Sequence, residues 1–413
     1  MSRHKLTRRE MAALIPVSSS VPLLAQLEAQ NHAARPFHVA VPQKKIDQIL
    51  RRVRETRFPD RLDTNDWSYG ANWDYMRQLT DYWVKGYDWR KTETRMNSFP
   101  QFMANIEGYD IHFFHVRGKG PKPMPLLLTH GWPGSVLEFM DSIGPLTDPA
   151  SFGGSADDAF DVVIPALPGF GFSSKPKGKP IGPVSIARMW HKLMTNTLGY
   201  QKYGAQGGDW GCIITIQLAL QSPGDLAGIH LNGAILPPAQ DSELSDDERN
   251  WRRAAQAFSA RESDYAGEQG NKPETVAFVL ADNPVGTAAW VVEKLKVWSD
   301  SANDIESVFT KDQLLSNVMM YLVTDTAPTA IWIYRGARDD TQGAPPRTRV
   351  NVPTGYAAFP HEMTNLAPPR AALERGFNLV RYTTMPRGGH FAAFEQPKLF
   401  VADVRDFFRN LRG

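Results

Sequence analysis

The spacing of apolar positions changes several times along the chain, and each change predicts a different kind of element. Ile46, Ile49, Leu50 and Val53 recur at intervals of three and four residues, which predicts an amphipathic helix opened by Pro42. Further along, short alternating or wholly apolar runs are followed by longer helix-like runs. This alternation predicts an α/β fold, with a mostly parallel central sheet covered by helices on both faces. The predicted strands are 110–116, 125–128, 161–166, 202–206, 227–231, 348–352 and 378–383, and the predicted helices are 184–198, 210–220 and 397–411.

The same rhythm divides the chain into five parts. Residues 1–34 form a tail, and residues 35–105 form an N-terminal part, in which the aromatic-rich segment 67–102 is expected to pack against a neighbouring domain. Residues 106–236 and 327–413 form the two parts of the α/β core. Between them, residues 237–326 are strand-poor and helix-like. An insertion of this length at the carboxyl edge of a parallel sheet is expected to form a helical lid over a site there.

A sharp turn between a predicted strand and a predicted helix lies at Gly207-Gly208-Asp209-Trp210-Gly211. Small residues on both sides of a reactive side chain are typical of a nucleophile elbow, because the strained turn leaves little room beside it. An aspartate carboxylate is already ionised at neutral pH and attacks carbon without the help of a base. Asp209 therefore predicts an ester intermediate on the protein. The alternative is an aspartate that only caps a helix after a glycine turn.

Hydrolysis of such an ester needs a base that titrates near neutrality, which is the usual role of histidine. His390 is the candidate among the ten histidines, because it lies in a glycine-rich loop after the last predicted strand. His112 and His115 are three apart in a predicted strand and face opposite sides, which excludes a shared metal. His4 and His32 lie in the tail. We therefore predict that His390 activates water.

An acid that orients this base should lie between the nucleophile and the base in the chain. Asp339 and Asp340 precede the penultimate predicted strand and are expected at its wrong end. Glu362 follows that strand and is the predicted acid. Glu374, in the next helix, is the weaker candidate.

Both chemical steps also need hydrogen-bond donors. Where a nucleophile elbow of this kind is present, the oxyanion hole uses the amide of the residue after the nucleophile, here Trp210. A second amide comes from an earlier strand-to-helix loop. The loop from His130 to Gly134 can supply the second amide through Trp132, and His130 is then structural. The oxygen released in the first step needs another donor. Tyrosine hydroxyls suit this role because they stay protonated at pH 7, but the residues alone single out none of the twelve tyrosines.

Composition narrows the class of protein further. The formal net charge of +2 gives no indication of a nucleic-acid partner. The single cysteine, Cys212, excludes an internal disulfide framework and is expected in the core. No apolar stretch approaches the ~20 residues of a transmembrane span. Arg8-Arg9 precedes an interrupted apolar run, so the tail is either a weak twin-arginine export signal or a disordered extension of a cytoplasmic protein.

Several longer motifs together resemble the microsomal-type epoxide hydrolases, a branch of the α/β-hydrolase fold with an N-terminal meander. The resemblance extends from about residue 36 to the end of the chain. It rests on 56–60 (Thr-Arg-Phe-Pro-Asp), 130–135 (His-Gly-Trp-Pro-Gly-Ser), 207–211 (the elbow), 262–265 (Glu-Ser-Asp-Tyr), 272–273 (Lys-Pro), 282–286 (Asp-Asn-Pro-Val-Gly), 352–356 (Val-Pro-Thr-Gly-Tyr) and 387–395 (Arg-Gly-Gly-His-Phe-Ala-Ala-Phe-Glu).

The resemblance implies that Asp209 is the nucleophile, Glu362 the acid and His390 the base, the same three residues that the chain pattern selects. It further implies that Tyr265 and Tyr334 hold the epoxide oxygen from the lid. It implies a catalytic triad that needs neither cofactor nor metal, in an enzyme of the kind used for detoxification and xenobiotic metabolism. Unlike the membrane-bound members of the family, this chain carries no recognisable membrane anchor at its N-terminus.

We therefore predict an epoxide hydrolase that converts a small hydrophobic epoxide and water to a vicinal diol through an aspartyl ester, with no nucleic-acid partner. Two alternatives stay open. A haloalkane dehalogenase-like enzyme also uses an aspartate at the elbow, but needs halide-binding donors in place of the tyrosines. A non-catalytic ligand-binding protein would keep the fold without turnover. The oligomeric state is also open and includes a homo-oligomer.

Overall fold

The computed structural model describes residues 33–412, except residue 65 and the segments 234–235, 237–243, 342–348 and 363–366. Within this part of the chain, one sheet of nine strands is surrounded by helices. The predictions for the tail, including the export signal, His4 and His32, lie outside the described residues.

The strands, numbered in chain order, form a single mostly parallel sheet. They are β1 (Arg35–Phe37), β2 (Gln101–Ile106), β3 (Tyr109–Val116), β4 (Met124–Thr129), β5 (Phe160–Pro165), β6 (Tyr203–Gly207), β7 (Leu226–Leu231), β8 (Val350–Ala358) and β9 (Phe377–Thr384). Their order is β1-β2-β3-β5-β4-β6-β7-β8-β9. The pairings from β5 to β9 are parallel, and those that join β1, β2, β3 and β5 are antiparallel. The central strands β4, β5, β6 and β7 are almost wholly buried because helices cover both faces.

The seven predicted strands are all present, and two further strands extend the sheet. β8 runs beyond its predicted end to Ala358, which carries the chain towards Glu362. β1 precedes the aromatic-rich segment 67–102 and β2 begins at its end, and both add antiparallel strands to one edge of the sheet. β1 has only three residues, and the six residues of β2 do not alternate strictly between apolar and polar positions, so neither gives a strand signal.

Helices of the N-terminal part and of the core flank this sheet. They are α1 (Gln43–Arg54), α2 (Trp73–Lys85), α3 (Trp89–Asn97), α4 (Met140–Thr147), α5 (Pro183–Lys192, continued by a π turn over Leu193–Thr197) and α6 (Trp210–Gln221). Short 3₁₀ turns lie at Val136–Phe139, Pro149–Phe152, Ala156–Asp158, Pro223–Asp225 and Ile305–Ser307. The predicted amphipathic helix is α1, whose Ile46, Ile49 and Val53 are buried.

Between β7 and β8 the described chain is helical. The helices are α7 (Asp246–Glu262), α8 (Asp264–Asn271), α9 (Pro273–Asp282), α10 (Pro284–Val297), α11 (Lys311–Val323), α12 (Ala327–Ala330) and α13 (Trp332–Thr341). The lid predicted for residues 237–326 ends before α12 and α13, which continue the same helical insertion. The helices α7 to α13 are called the lid below, and Tyr334 lies on the last of them. The division into domains stays a prediction. The core then closes with α14 (Arg370–Gly376), α15 (Ala392–Glu395) and α16 (Pro397–Arg409).

The N-terminal helices pack against the lid. The Tyr82 hydroxyl of α2 donates to Asp312 of α11 at 2.8 Å, and the hydroxyls of Thr92 and Ser316 lie 2.6 Å apart. Trp83 and Trp89, on the same two N-terminal helices α2 and α3, are buried. The aromatic-rich segment therefore packs against a neighbouring region, as its composition predicts.

Among the described residues, no single helix has the length and apolar character needed to cross a membrane. α9 and α10 reach that length only as a pair, and the chain bends by 118° between them.

Candidate active site

Four loops that follow strands of the parallel part of the sheet meet at its carboxyl edge. β4 leads to Trp132, β6 to Asp209, β8 to Glu362 and β9 to His390. Because parallel strands all end at the same edge, side chains that are far apart in the sequence converge there.

The elbow holds Asp209 in a strained conformation, with φ +50° and ψ −130°. A Cβ on Gly211 would overlap the carbonyl oxygen of Thr129, and one on Gly131 would overlap the Asp209 carboxylate. The glycines therefore let the turn pack against the end of β4. Asp209 precedes α6, but its carboxylate makes no capping bond to that helix and faces Trp132 and the base instead.

The predicted nucleophile, base and acid form one connected chain. His390 Nε2 lies 3.2 Å from Asp209 Oδ2, and His390 Nδ1 lies 2.9 and 3.0 Å from the two oxygens of Glu362. A parallel bridge between His361 and Gly389 fixes the two loops side by side. The structure therefore brings together the three side chains selected from the sequence.

Electrostatics sets the protonation of His390, which is only 4% exposed. Burial favours the neutral ring, but the charge of Glu362 and the hydrogen bond to Asp209 outweigh it, and the pKa of His390 lies well above its ordinary value. The resting site therefore holds an imidazolium between two carboxylates. Loss of the charge on Asp209 would lower the pKa of His390 towards the range of a general base.

The loop after β4 directs a backbone amide at the elbow carboxylate, where an oxyanion donor is predicted. The Trp132 amide donates to Asp209 Oδ1 at 2.7 Å, and the Trp132–Pro133 peptide bond is cis. His130 is buried beneath this loop, where its Nε2 accepts from the Leu167 amide at 3.3 Å, which fits a structural role. Trp210 is the first residue of α6, and the contribution of its amide stays a prediction.

The lid places two tyrosines over the same edge. Tyr265 comes from α8 and Tyr334 from α13, and their ring centroids lie 5.8 Å apart. Trp132 stacks on Tyr265 at 5.4 Å, and Trp210 meets Tyr334 edge-to-face at 4.7 Å. Aromatic contacts between lid and core therefore hold both tyrosines next to the two tryptophans that flank Asp209.

The tyrosine hydroxyls keep their protons at neutral pH. Burial raises the pKa of Tyr265 above its ordinary value, and the charge on Asp209 adds to the effect. Burial also raises the pKa of Tyr334, with further contributions from Tyr265 and Asp209. Both hydroxyls can therefore act as hydrogen-bond donors at neutral pH.

Two residues around His390 were not found from the sequence. The Glu395 carboxylate accepts from the amides of Asp300, Gly389 and Phe391, each at 2.9 Å, and so ties the base loop to the end of the lid helix α10. The carbonyl of Trp298 accepts from the His390 amide at 2.9 Å, and its ring lies 5.1 Å from the imidazole. Glu395 ends the motif 387–395, but its residue type does not indicate that it binds three amides.

The rejected candidates lie elsewhere and serve the fold. Among the described residues, no three His, Cys, Asp or Glu side chains group as metal ligands. Among the acids, Asp340 accepts a hydrogen bond from the Val184 amide, Asp339 from Arg335 and Glu374 from Arg370. His112 is hydrogen-bonded to Gln101, and His115 to Tyr200. The buried Cys212 thiol donates to the Gly233 carbonyl.

This fold and this site define an α/β-hydrolase with an aspartate at the nucleophile elbow. A model of the epoxide hydrolase N terminus matches residues 34–139, and a model of the α/β-hydrolase fold matches residues 124–274. The chain is 43% identical over 381 residues to a protein named as an epoxide hydrolase from Stigmatella aurantiaca, covering 92% of this chain and 85% of the relative. It is 36% identical over 409 residues to epoxide hydrolase 1 of Oryctolagus cuniculus, covering 92% and 89%.

Solved structures agree with these relatives. The structure of Aspergillus niger epoxide hydrolase has a TM-score of 0.81 at 29% identity, covering 92% of this chain and 97% of that one. The chain therefore belongs to the epoxide hydrolase family, and it is an epoxide hydrolase with the α/β-hydrolase fold. This finding decides against the dehalogenase-like and non-catalytic alternatives.

Proposed function

We propose that the enzyme converts epoxides to vicinal diols in two steps, through an ester of Asp209. The observation that carries this proposal is that the two oxygens of the Asp209 carboxylate have different hydrogen-bond partners. Oδ1 accepts a hydrogen bond from the Trp132 amide at 2.7 Å, and Oδ2 lies 3.2 Å from His390 Nε2. Oδ2 is then the attacking oxygen, and Oδ1 becomes the ester carbonyl oxygen, already in place in the oxyanion hole.

In the first step, Tyr265 and Tyr334 donate hydrogen bonds to the epoxide oxygen. Asp209 Oδ2 forms a bond to a ring carbon, and the carbon–oxygen bond of the ring breaks with its electron pair going to oxygen. That oxygen takes a proton from a tyrosine, which becomes a tyrosinate. Ester formation removes the charge on Asp209, so His390 loses one of its two anionic partners.

In the second step, neutral His390 removes a proton from water, and the water oxygen bonds to the carbonyl carbon of the ester. The oxyanion forms on Oδ1, where the Trp132 amide stabilises it. The bond between the carbonyl carbon and Oδ2 then breaks, and Oδ2 leaves as the second hydroxyl of the diol with the proton from His390. The restored carboxylic acid of Asp209 then gives its proton to the tyrosinate. The net reaction is epoxide plus water to diol, and all the side chains return to their starting states.

The surroundings of Asp209 favour a hydrophobic epoxide. Trp132, Trp210 and Trp298 join the two tyrosines in a continuous set of ring contacts around the carboxylate. Apolar walls make the free energy of binding more favourable, because they remove apolar substrate surface from water. They also keep bulk water away from the ester. An aryl epoxide such as styrene oxide is therefore a suitable first substrate.

A single turnover in ¹⁸O-water, with enzyme in excess over styrene oxide, tests the covalent route. We expect the first diol to be unlabelled, because its new oxygen comes from Asp209. In later turnovers label should appear in the diol, because the oxygen that entered Asp209 from water is then transferred. Labelled diol in the first turnover would mean direct attack by water and would refute the proposal.

A further inference from the structure

A small cavity lies in the core beside Asp209 and His390. It is lined by Thr129, Glu138, Gln206 and Asn232 in addition to these two residues. All its lining residues belong to the core, whereas Tyr265 and Tyr334 lie on the lid. The cavity therefore reaches the nucleophile and the base from the core side.

The size of the cavity suits one water molecule. Its volume is about 10 Å³, close to the ~10–15 Å³ that a single buried water requires. A water also needs two to four polar partners, and an apolar cavity of this size stays dry. The polar groups that line the cavity therefore decide whether it binds water.

Two of these polar groups are oriented but have no protein partner within the described chain. Gln206 Nε2 donates to Asn232 Oδ1 at 2.8 Å, and Asn232 Nδ2 donates to the His390 carbonyl at 3.3 Å. These bonds fix the side-chain amide of Gln206 and leave its Oε1 as a buried acceptor without a partner. The Thr129 hydroxyl, also fully buried, is in the same state. Buried polar groups normally have a hydrogen-bond partner, and where the protein supplies none an ordered water takes its place.

Glu138 provides an ionisable group at the same cavity. It lies in the 3₁₀ turn after the motif 130–135, where its carboxyl packs so close to Gly134 that a Cβ there would overlap it. Burial raises the pKa of Glu138 to about 8; the positive charge on His390 lowers this pKa, and the negative charge on Asp209 raises it. The carboxyl accepts from the Ser135 amide, so its ordinary role would be to cap this turn. Capping uses one carboxyl oxygen and leaves the other available.

We propose that this cavity binds the water that hydrolyses the aspartyl ester, and that Glu138 is a further catalytic residue that holds this water with Gln206 and Thr129. The inference rests on the proposed function. The alkyl group of the ester extends under the lid, so an attacking water has to approach from the core side. There His390 Nε2 takes one proton of the water, whose oxygen then bonds to the carbonyl carbon of Asp209.

The test separates the two chemical steps in the full-length enzyme. Rapid mixing with styrene oxide measures alkylation through the quenching of tryptophan fluorescence, and quenched-flow sampling measures diol release. For Glu138→Gln we expect hydrolysis to slow by about 10- to 100-fold, while alkylation stays within twofold of wild type. The ester should accumulate as a mass increase on the intact protein. Glu138→Asp, which keeps the carboxyl group, should recover part of the hydrolysis rate.

A capping role makes a different prediction. Ser135→Ala loosens the same turn, because Ser135 Oγ accepts from the Leu137 amide at 3.3 Å, but it leaves the cavity lining intact. It should lower Tm without accumulation of ester. If Glu138→Gln behaved in the same way, or hydrolysed the ester at the wild-type rate, the inference would be wrong while the ester mechanism stood.

Gln206→Leu gives an independent measurement should Glu138→Gln not fold. It removes the acceptor oxygen at similar volume, and we expect the same selective loss of hydrolysis. In the double variant Glu138→Gln/Gln206→Leu, the fold-reduction in the hydrolysis rate should be smaller than the product of the two single reductions, because both substitutions disturb the same water. Full multiplicativity would contradict a shared water. Labelled diol in the first turnover of the wild type would instead remove the ester and overturn the proposed function together with this inference.

Discussion

The core and the lid contribute to the site in different ways. The core site, defined as Asp209, Glu362, His390 and the Trp132 amide, is fixed by backbone bonds and by loops that leave adjacent strand ends. The lid site, defined as Tyr265 and Tyr334, is held by ring packing against tryptophans. In the proposed mechanism, bond formation and proton transfer therefore take place at the strand ends, and the lid binds the epoxide oxygen.

Removal of the nucleophile should have the largest effect. Asp209→Asn keeps the shape of the side chain, and asparagine tolerates the positive φ of the elbow, so the fold should persist. We expect turnover to fall by about 10⁴-fold or more, because the amide cannot form the ester. Steady-state diol formation from styrene oxide measures this, with intact mass to detect deamidation. Activity near that of wild type would exclude Asp209 from the core site as its nucleophile.

Removal of the base should divide the reaction within the core site. In His390→Gln, alkylation should continue while hydrolysis slows by roughly 10²–10⁴-fold, because no group then removes a proton from water. Intact-mass spectrometry should show a stable adduct with the mass of the substrate. His361→Gln is the matched control, since this neighbouring histidine lies on the acid loop and bonds to Asp300 at 3.1 Å. If no adduct accumulates in His390→Gln, the two-step scheme fails.

The lid site should act only on the first step. Tyr265→Phe and Tyr334→Phe together should slow alkylation by on the order of 10²-fold, and each alone by less, because one hydroxyl still stabilises the released oxygen. Tyr382→Phe removes a hydroxyl that donates to the Pro368 carbonyl in the core and serves as the control. Normal adduct formation in the double variant would show that the two regions do not divide the chemistry as described.

The resting ion pairs of the core site predict a dependence of stability on pH. The pKa of His390 is raised in the folded protein, so its stabilising contribution is fully present below the unfolded value of ~6.5 and is lost as pH rises through the folded value. Thermal unfolding of the wild type above pH 6.5 should therefore show a fall in Tm that is weaker in His390→Gln. Parallel pH profiles for the two proteins would mean that no imidazolium is held between the carboxylates.

The smallest effect is expected at a link between lid and core. Glu248, in the first turn of α7, forms an ion pair with Arg375 of α14. Glu248→Gln should lower the free energy of unfolding by about 1 kcal/mol, because one partner remains partly exposed to water. Denaturant unfolding measures this change, and the alkylation rate should stay near that of wild type. A large loss of alkylation would show that this link positions the lid tyrosines.

Much of the core site could be predicted because its chemistry is local in the sequence. The glycines around Asp209, the glycine loop before His390 and the position of Glu362 after a strand each carry a signal within a few residues. The tyrosines carry no such signal. Tyr265 and Tyr334 were recognised only by resemblance to a family, because a tyrosine on a lid helix has no local pattern that separates it from a packing residue.

The chain alone determined the succession of strands and helices, and with it the edge of the sheet where loops carrying reactive side chains had to meet. Only the tertiary structure decided which groups touch there: that Glu395 binds three amides around His390, that Trp132 stacks on Tyr265, and that Glu138 and Gln206 enclose a cavity beside Asp209. The physical reason is that periodicity follows from local backbone geometry, whereas hydrogen bonds and burial between distant residues depend on how the elements pack.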